Sequence, residues 1–136
     1  ENFDGIILAA AGLKRLGLLE QDTYEYTFLA PEEFIPAGGQ GLMAVEAKAG
    51  TAAHSLAQAM DHAQGRLCLD LERSVLKQMD AGCHEPIGIY SVLQNGQLEV
   101  WGISSLRGEV KRIHLTGGTS RRDIEKLASE AWKGLM

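Results

Sequence analysis

Residues 87–105 read IGIYSVLQNGQLEVWGISS. Two runs rich in β-branched and aromatic residues flank Asn95-Gly96, the dipeptide that most favours a two-residue hairpin turn. A second turn near Arg107-Gly108 leads to EVKRIHLTG (109–117), a third strand. Thr119 or Ser120 then caps a final helix through Trp132, with Ile124, Leu127, Ala128 and Ala131 facing inward. Upstream, Leu67, Leu71, Val75 and Met79 recur every four residues and predict a helix from Arg66 to Met79, ending at Ala81-Gly82 with Gly82 as its cap. On its other face, Asp70 and Glu72 read as surface partners of Arg66, Arg73 and Lys77, not as chemistry. The order helix, three-stranded antiparallel meander, helix predicts an α+β domain with one sheet face covered by helices.

The first sixty residues are of another kind. FDGIILAAA (3–11) is a continuous apolar run, the pattern of a strand buried on both faces, and LKRLGLL after Gly12 reads as a short helix with Leu13 and Leu16 inward and Lys14 and Arg15 outward. Tyr24, Tyr26 and Phe28 alternate as a short strand would, and LMAVEAK (42–48) does the same. Between them lies the Gly-rich loop Ala37-Gly38-Gly39-Gln40-Gly41. Thr51 caps a helix expected to run through Asp61, and Gly65 is expected to break the pattern. The strand-to-helix opening has α/β character without obvious partner strands. No Met opens the chain, which predicts a piece of something longer.

Composition narrows the class. At 136 residues with 45% hydrophobic and 23% charged residues, the chain can bury a core. A net charge of −5 gives the surface as a whole no attraction for nucleic acid. No apolar run reaches the roughly 18 residues of a membrane span, and no signal peptide is recognised. Two cysteines, Cys68 and Cys83, make no disulfide framework and no zinc spacing; a reducing, cytoplasmic compartment is expected.

The candidate chemistry is sparse. Cys83 stands in the Gly-flanked turn AGCHEPIG (81–88), beside His84, which suits either a reactive thiol or a covalent anchor as well as an incidental loop cysteine. Cys68, mid-helix between Leu67 and Leu69, reads as inert. Arg15 and Lys14, at the opening of a short helix after a strand, can hold a carboxylate or phosphate or simply face solvent. The 38–41 loop permits close backbone approach but lacks the Lys-Ser/Thr of a phosphate loop. His54, His62 and His114 have no ligand spacing, and Glu32-Glu33 reads as a solvated turn.

Three stretches in order, FDGIILAAAGLKRLG (3–17), PEEFIPAGGQG (31–41) and ERSVLKQMDAGCHEPIG (72–88), closely resemble the porphobilinogen deaminases, also called hydroxymethylbilane synthases. The resemblance spans essentially this whole chain but only the C-terminal half or so of the family's length. It implies a transferase of tetrapyrrole biosynthesis that joins four porphobilinogen molecules, releasing ammonia, into linear hydroxymethylbilane. It implies a dipyrromethane cofactor on a thioether at Cys83, with Arg15 as carboxylate clamp and Ala9, Ala10, Gln40, Gly41 and Lys48 lining the site. It further implies that residues 1–37 are half of an incomplete α/β, periplasmic-binding-protein-like second domain. Residues 38–61 would belong with an absent first domain, and 62–136 would be the cofactor-bearing C-terminal domain. The family's catalytic aspartate falls outside these residues, so no catalytic residue is expected here. The chain alone is expected to be inactive, with Cys83 a free thiol. Lys48 stands where the family usually has Arg, which weakens bidentate carboxylate binding; Ala81 replaces a usual Gly. Expected partners are porphobilinogen, the growing polypyrrole, the N-terminal half and, through exposed strand edges, a second copy; no nucleic acid, membrane or metal is expected. A small thiol enzyme using Cys83 and His84, or a non-catalytic assembly module on the same scaffold, remain the alternatives.

Overall fold

A computed structural model describes residues 3–21, 24–80 and 84–136 and divides the chain into two compact units, 1–30 and 31–136. The expected turn at Ala81-Gly82-Cys83 and the Gly82 cap lie outside the described residues.

Unit 31–136 contains helices α2 (Ala52–Ala59) and α3 (Ala63–Gln78), strands β1 (Ile87–Gln94), β2 (Gln97–Ser104) and β3 (Lys111–Gly117), and helix α4 (Arg121–Leu135). The strands form one antiparallel sheet in the order β1-β2-β3. Asn95 (φ 51°) and Gly96 (φ 76°) both take left-handed backbone, the conformation a type I′ hairpin requires, and they set the register in which Gln94 faces Gln97 and Tyr90 faces Trp101. α3 packs over β1, α4 over β3, and the two helices pack on each other.

The strand alternation decides what is buried. Ile89, Leu98 and Val100 point at the helices and join Leu71 and Val75 of α3, its C-terminal cap Met79, and Ile124, Leu127, Ala128, Ala131 and Leu135 of α4 in one core. α4 is anchored by a full capping box. Ser120 Oγ accepts from the Asp123 N–H at 3.2 Å, and the Asp123 carboxylate accepts from the Ser120 N–H at 3.3 Å. On the opposite face Tyr90, Trp101 and His114 form a ladder across the three strands, with the Trp101 and His114 rings stacked at 4.5 Å. The free edge of β1 is partly covered: the Ile89 N–H donates to Pro36 O at 2.8 Å.

The α+β expectation for the C-terminal part therefore holds, helix for helix and strand for strand. The N-terminal expectations need correction. None of residues 3–9, 24–30 or 42–48 belongs to a strand. Ile6, Ile7 and Leu8 are 74, 69 and 57% exposed, and Met43 is 88% exposed. A strand is completed by ladder partners, and among the described residues these apolar runs have none. In unit 1–30, helix α1 (Ala10–Arg15) begins two residues before the Gly12 expected to lead into it. Leu13 is half-buried but Leu16 is exposed. A single 3₁₀ turn follows at Leu18–Glu20, where Leu18 O accepts from the Tyr26 hydroxyl at 3.0 Å.

Two helix boundaries also move. Thr51 does cap α2, its hydroxyl accepting from the His54 N–H at 3.2 Å, but the helix stops at Ala59 and not at Asp61. Gly65 does not break a helix. It lies inside the first turn of α3, and its N–H donates to the ring of the cap residue His62 at 3.0 Å. The left-handed residue just past α3 is Asp80, at φ 49°.

Candidate functional site

Arg15, Ala9 and Ala10 all lie in unit 1–30. Ala9 is the extended residue capping α1 and Ala10 is its first helical residue, while Arg15 is its last. Lys14 and Arg15 thus close the helix and do not open it, in the turn where a cation is favoured by the exposed carbonyls. Both side chains are exposed.

Gln40, Gly41 and Lys48 lie in unit 31–136. The 38–41 loop is a tight turn: the Gln40 N–H donates to Ala37 O at 3.1 Å, and the Leu42 N–H donates to Gly39 O at 3.2 Å. Gly39 (φ 77°) and Gly41 (φ 82°) both need left-handed backbone, so the glycines here are required by conformation. A Cβ at Gly41 would meet nothing within 4 Å, which leaves that backbone open to an approaching group. Lys48 is exposed, and its carbonyl accepts from the Thr51 hydroxyl at 2.7 Å. Among the described residues neither Arg15 nor Lys48 makes an ion pair. Cys83 lies outside the described residues; its neighbour His84 is exposed.

An open groove of about 1180 Å³ runs from Gly38 and Gly39 between segment 42–47 and helices α2 and α3, with Leu42, Val45 and Leu69 as apolar lining and Arg66 and Arg73 as cations. Arg66 is engaged by Asp61, whose carboxyl is held below its ordinary value chiefly by that hydrogen bond. The expected pairing of Arg66 with Asp70 is thereby displaced.

The sequence reading missed one residue altogether. Glu72 was expected on the solvated face of α3, yet it is only 5% exposed. Its Oε1 accepts from both the N–H (2.8 Å) and the hydroxyl (2.9 Å) of Ser91 on β1, and its Oε2 accepts from the Gly39 N–H at 2.7 Å. A buried carboxylate is tolerated when donors surround it. A signal existed: Ser91 is the one polar residue at an inward position of β1, between Ile89 and Leu93, and such a residue needs a partner. Cys68, read from sequence as inert, is half-buried, and burial pushes its thiol up.

Among the described residues, no group of three or more His, Cys, Asp and Glu side chains could hold a metal ion, and no helix is long and apolar enough to cross a membrane.

Comparison with known proteins decides the family. Residues 1–55 match the family model described as "Porphobilinogen deaminase, dipyromethane cofactor binding domain", and residues 66–131 match "Porphobilinogen deaminase, C-terminal domain". The chain belongs to the porphobilinogen deaminase family. It is 38% identical over 117 residues to the porphobilinogen deaminase of Clostridium acetobutylicum, which covers 86% of this chain and 39% of that protein. The porphobilinogen deaminase of Clostridium kluyveri is 43% identical over a match of the same extent, 86% of this chain and 39% of the relative. That of Chromobacterium violaceum is 43% identical over 102 residues, 74% of this chain and 32% of the relative. The chain thus spans about two fifths of the length of the first of these deaminases.

Proposed function

We propose that this chain serves as the cofactor-bearing part of a hydroxymethylbilane synthase, the enzyme that links four porphobilinogen molecules head to tail with release of ammonia. The observation that carries the reading is the match of two porphobilinogen deaminase models, in order, to residues 1–55 and 66–131.

The residues present suit a polycarboxylate pyrrole ligand. The backbone at Gly41 is open on its Cβ side, Gln40 offers an exposed amide, and Arg15 and Lys48 are exposed cations without ion-pair partners among the described residues. In this reading Cys83 forms the thioether to dipyrromethane, and Arg15 clamps carboxylates bidentately. Within unit 31–136, Lys48 attracts them as a point charge beside the ligand-lining Gln40 and Gly41; within unit 1–30, Ala9 and Ala10 are the lining residues. When bound, dipyrromethane supplies the primer on which the pyrrole chain is built. This chain's own part is to hold that primer and neutralise acetate and propionate groups; the proton chemistry belongs to an aspartate elsewhere in the enzyme.

The reading divides the chain into 1–37, part of an α/β domain; 38–61, which packs with an N-terminal domain; and 62–136, the C-terminal domain. The exposed Ile6-Ile7-Leu8 run and Met43, Val45 and Met60 supply apolar surface for that N-terminal part, or for a second copy of the chain when it is alone. The enzyme works in the cytoplasm.

The test is a hybrid in which the N-terminal part of the Clostridium kluyveri relative is joined to this chain. The hybrid consumes porphobilinogen and yields hydroxymethylbilane, whereas the 136-residue chain alone does neither. A folded hybrid with no turnover, or turnover by the chain alone, contradicts the reading.

A further inference from the structure

The 38–41 loop, proposed above to present Gln40 and Gly41 to the ligand, is held to the rest of unit 31–136 by few features. A Cβ at Gly38 would lie 2.6 Å from Ile89 Cγ2 and 2.8 Å from Leu76 Cδ1, so the loop presses directly on β1 and α3. At Gly39 the nearest side-chain atom would be Leu69 Cδ1, at 3.5 Å. Leu69, Glu72 and Leu76 follow the i, i+3, i+7 spacing of one helix face, so α3 carries two stripes. Leu71, Val75 and Met79 face the core, while Leu69, Glu72 and Leu76 face the loop.

Glu72 is the polar member of the second stripe. Its two oxygens divide the work: Oε1 is fixed by Ser91 of β1, and Oε2 takes the Gly39 N–H at 2.7 Å. Ser91 is itself 6% exposed, so the carboxylate is anchored in the interior before it reaches the loop. A planar group pinned at one oxygen has a fixed second oxygen, and that oxygen sets where the Gly39 amide must lie.

We propose that Glu72 is a positioning residue for the site. Through the Gly39 N–H it fixes the turn that aims Gln40 and Gly41, locking that turn to α3 and β1. The proposal rests on the reading of the loop as a ligand-binding element, and its test uses no pyrrole, so that either can fail without the other.

The test is amide hydrogen exchange by NMR on the 136-residue chain, wild type and Glu72→Gln. The side-chain amide of Gln cannot accept at both oxygen positions, so one arm of the clamp is lost. In the wild type, the Gly39 amide exchanges at least about tenfold more slowly than the Gly41 amide, as an amide bonded to a buried carboxylate does. In Glu72→Gln, Gly39 exchange accelerates about tenfold more than that of Val100 in the central strand. Equal acceleration of Gly39 and Val100 would reduce Glu72 to a general stabiliser and overturn the proposal. Should Glu72→Gln not fold, the wild-type ratio decides: a Gly39 amide as labile as that of Gly41 overturns it equally.

Discussion

Ser91 donates twice to one oxygen of Glu72: its N–H and its hydroxyl both reach Oε1, at 2.8 and 2.9 Å, across 19 residues of sequence. This joins α3 to β1 through buried polar contacts, and the same Ser91 hydroxyl also lies 3.1 Å from the Cys68 carbonyl of α3. Removing the carboxylate leaves the Ser91 and Gly39 N–H groups without an acceptor. Glu72→Ala is therefore expected to cost about 3 kcal/mol, and Ser91→Ala, which deletes only the hydroxyl, about 1 kcal/mol. Urea denaturation followed by circular dichroism measures both, and a Glu72→Ala loss no larger than that of Ser91→Ala would refute the clamp.

The capping box of α4 gives a second stability prediction. Ser120→Ala removes the acceptor of the Asp123 N–H and is expected to cost about 1 kcal/mol. Because α4 contributes Ile124, Leu127, Ala128, Ala131 and Leu135 to the core, the loss lowers the midpoint of the whole domain and does not merely fray one helix. Ser120→Thr, which keeps the hydroxyl as acceptor for the Asp123 N–H and donor to its carboxylate, should retain most of the stability.

Trp101 and His114 stack at 4.5 Å with their planes 10° apart. His114→Ala uncovers one face of the indole. The expected result is a red shift of Trp101 emission, read against Trp132 as constant background, with a cost of about 0.5 kcal/mol. His114→Tyr retains a ring at that register position and should leave the emission near that of the wild type.

Burial raises the Cys68 thiol above its ordinary value, with the Ser91 hydroxyl acting in the other direction. A raised value means less thiolate at a given pH, so folded Cys68 alkylates with iodoacetamide more slowly than the same residue in urea. As a stability term the sign is fixed: the contribution is complete below the unfolded thiol value and is lost as pH rises through the folded one. Alkylation mapped by mass spectrometry between pH 7 and 10 checks this, and equal rates in the folded and unfolded chain would contradict it.

What could be read from the sequence was what local chemistry determines. Asn95-Gly96, a cap at Thr119 or Ser120, and the four-residue repeat from Leu67 to Met79 each specify structure within a few positions, and each is found, with Ser120 as the cap. Glu72 was misread because its acceptor role depends on Gly39 and Ser91, 33 and 19 residues away, while its neighbours Arg73 and Lys77 suggested a solvated face. The runs at 3–11 and 42–48 have the composition of strands, but a strand is a pairing, and composition does not supply the partner. Of the candidate site, the 38–41 loop was legible through its glycines, but as a flexible connection and not as the tight turn it forms. Arg15 ends α1 and does not open it: Gly12 suggests a helix boundary, but Ala10 and Ala11 extend the helix before it without strain.

The central claim is that Cys83 is the covalent anchor of dipyrromethane. Intact mass and peptide mapping of the hybrid with the Clostridium kluyveri N-terminal part, after incubation with porphobilinogen, test it most directly. The account predicts a dipyrromethane adduct on the peptide containing Cys83, its disappearance in Cys83→Ser, and an unmodified thiol in the 136-residue chain alone. An adduct on Cys68, or a hybrid that makes hydroxymethylbilane with Cys83 unmodified, would contradict it.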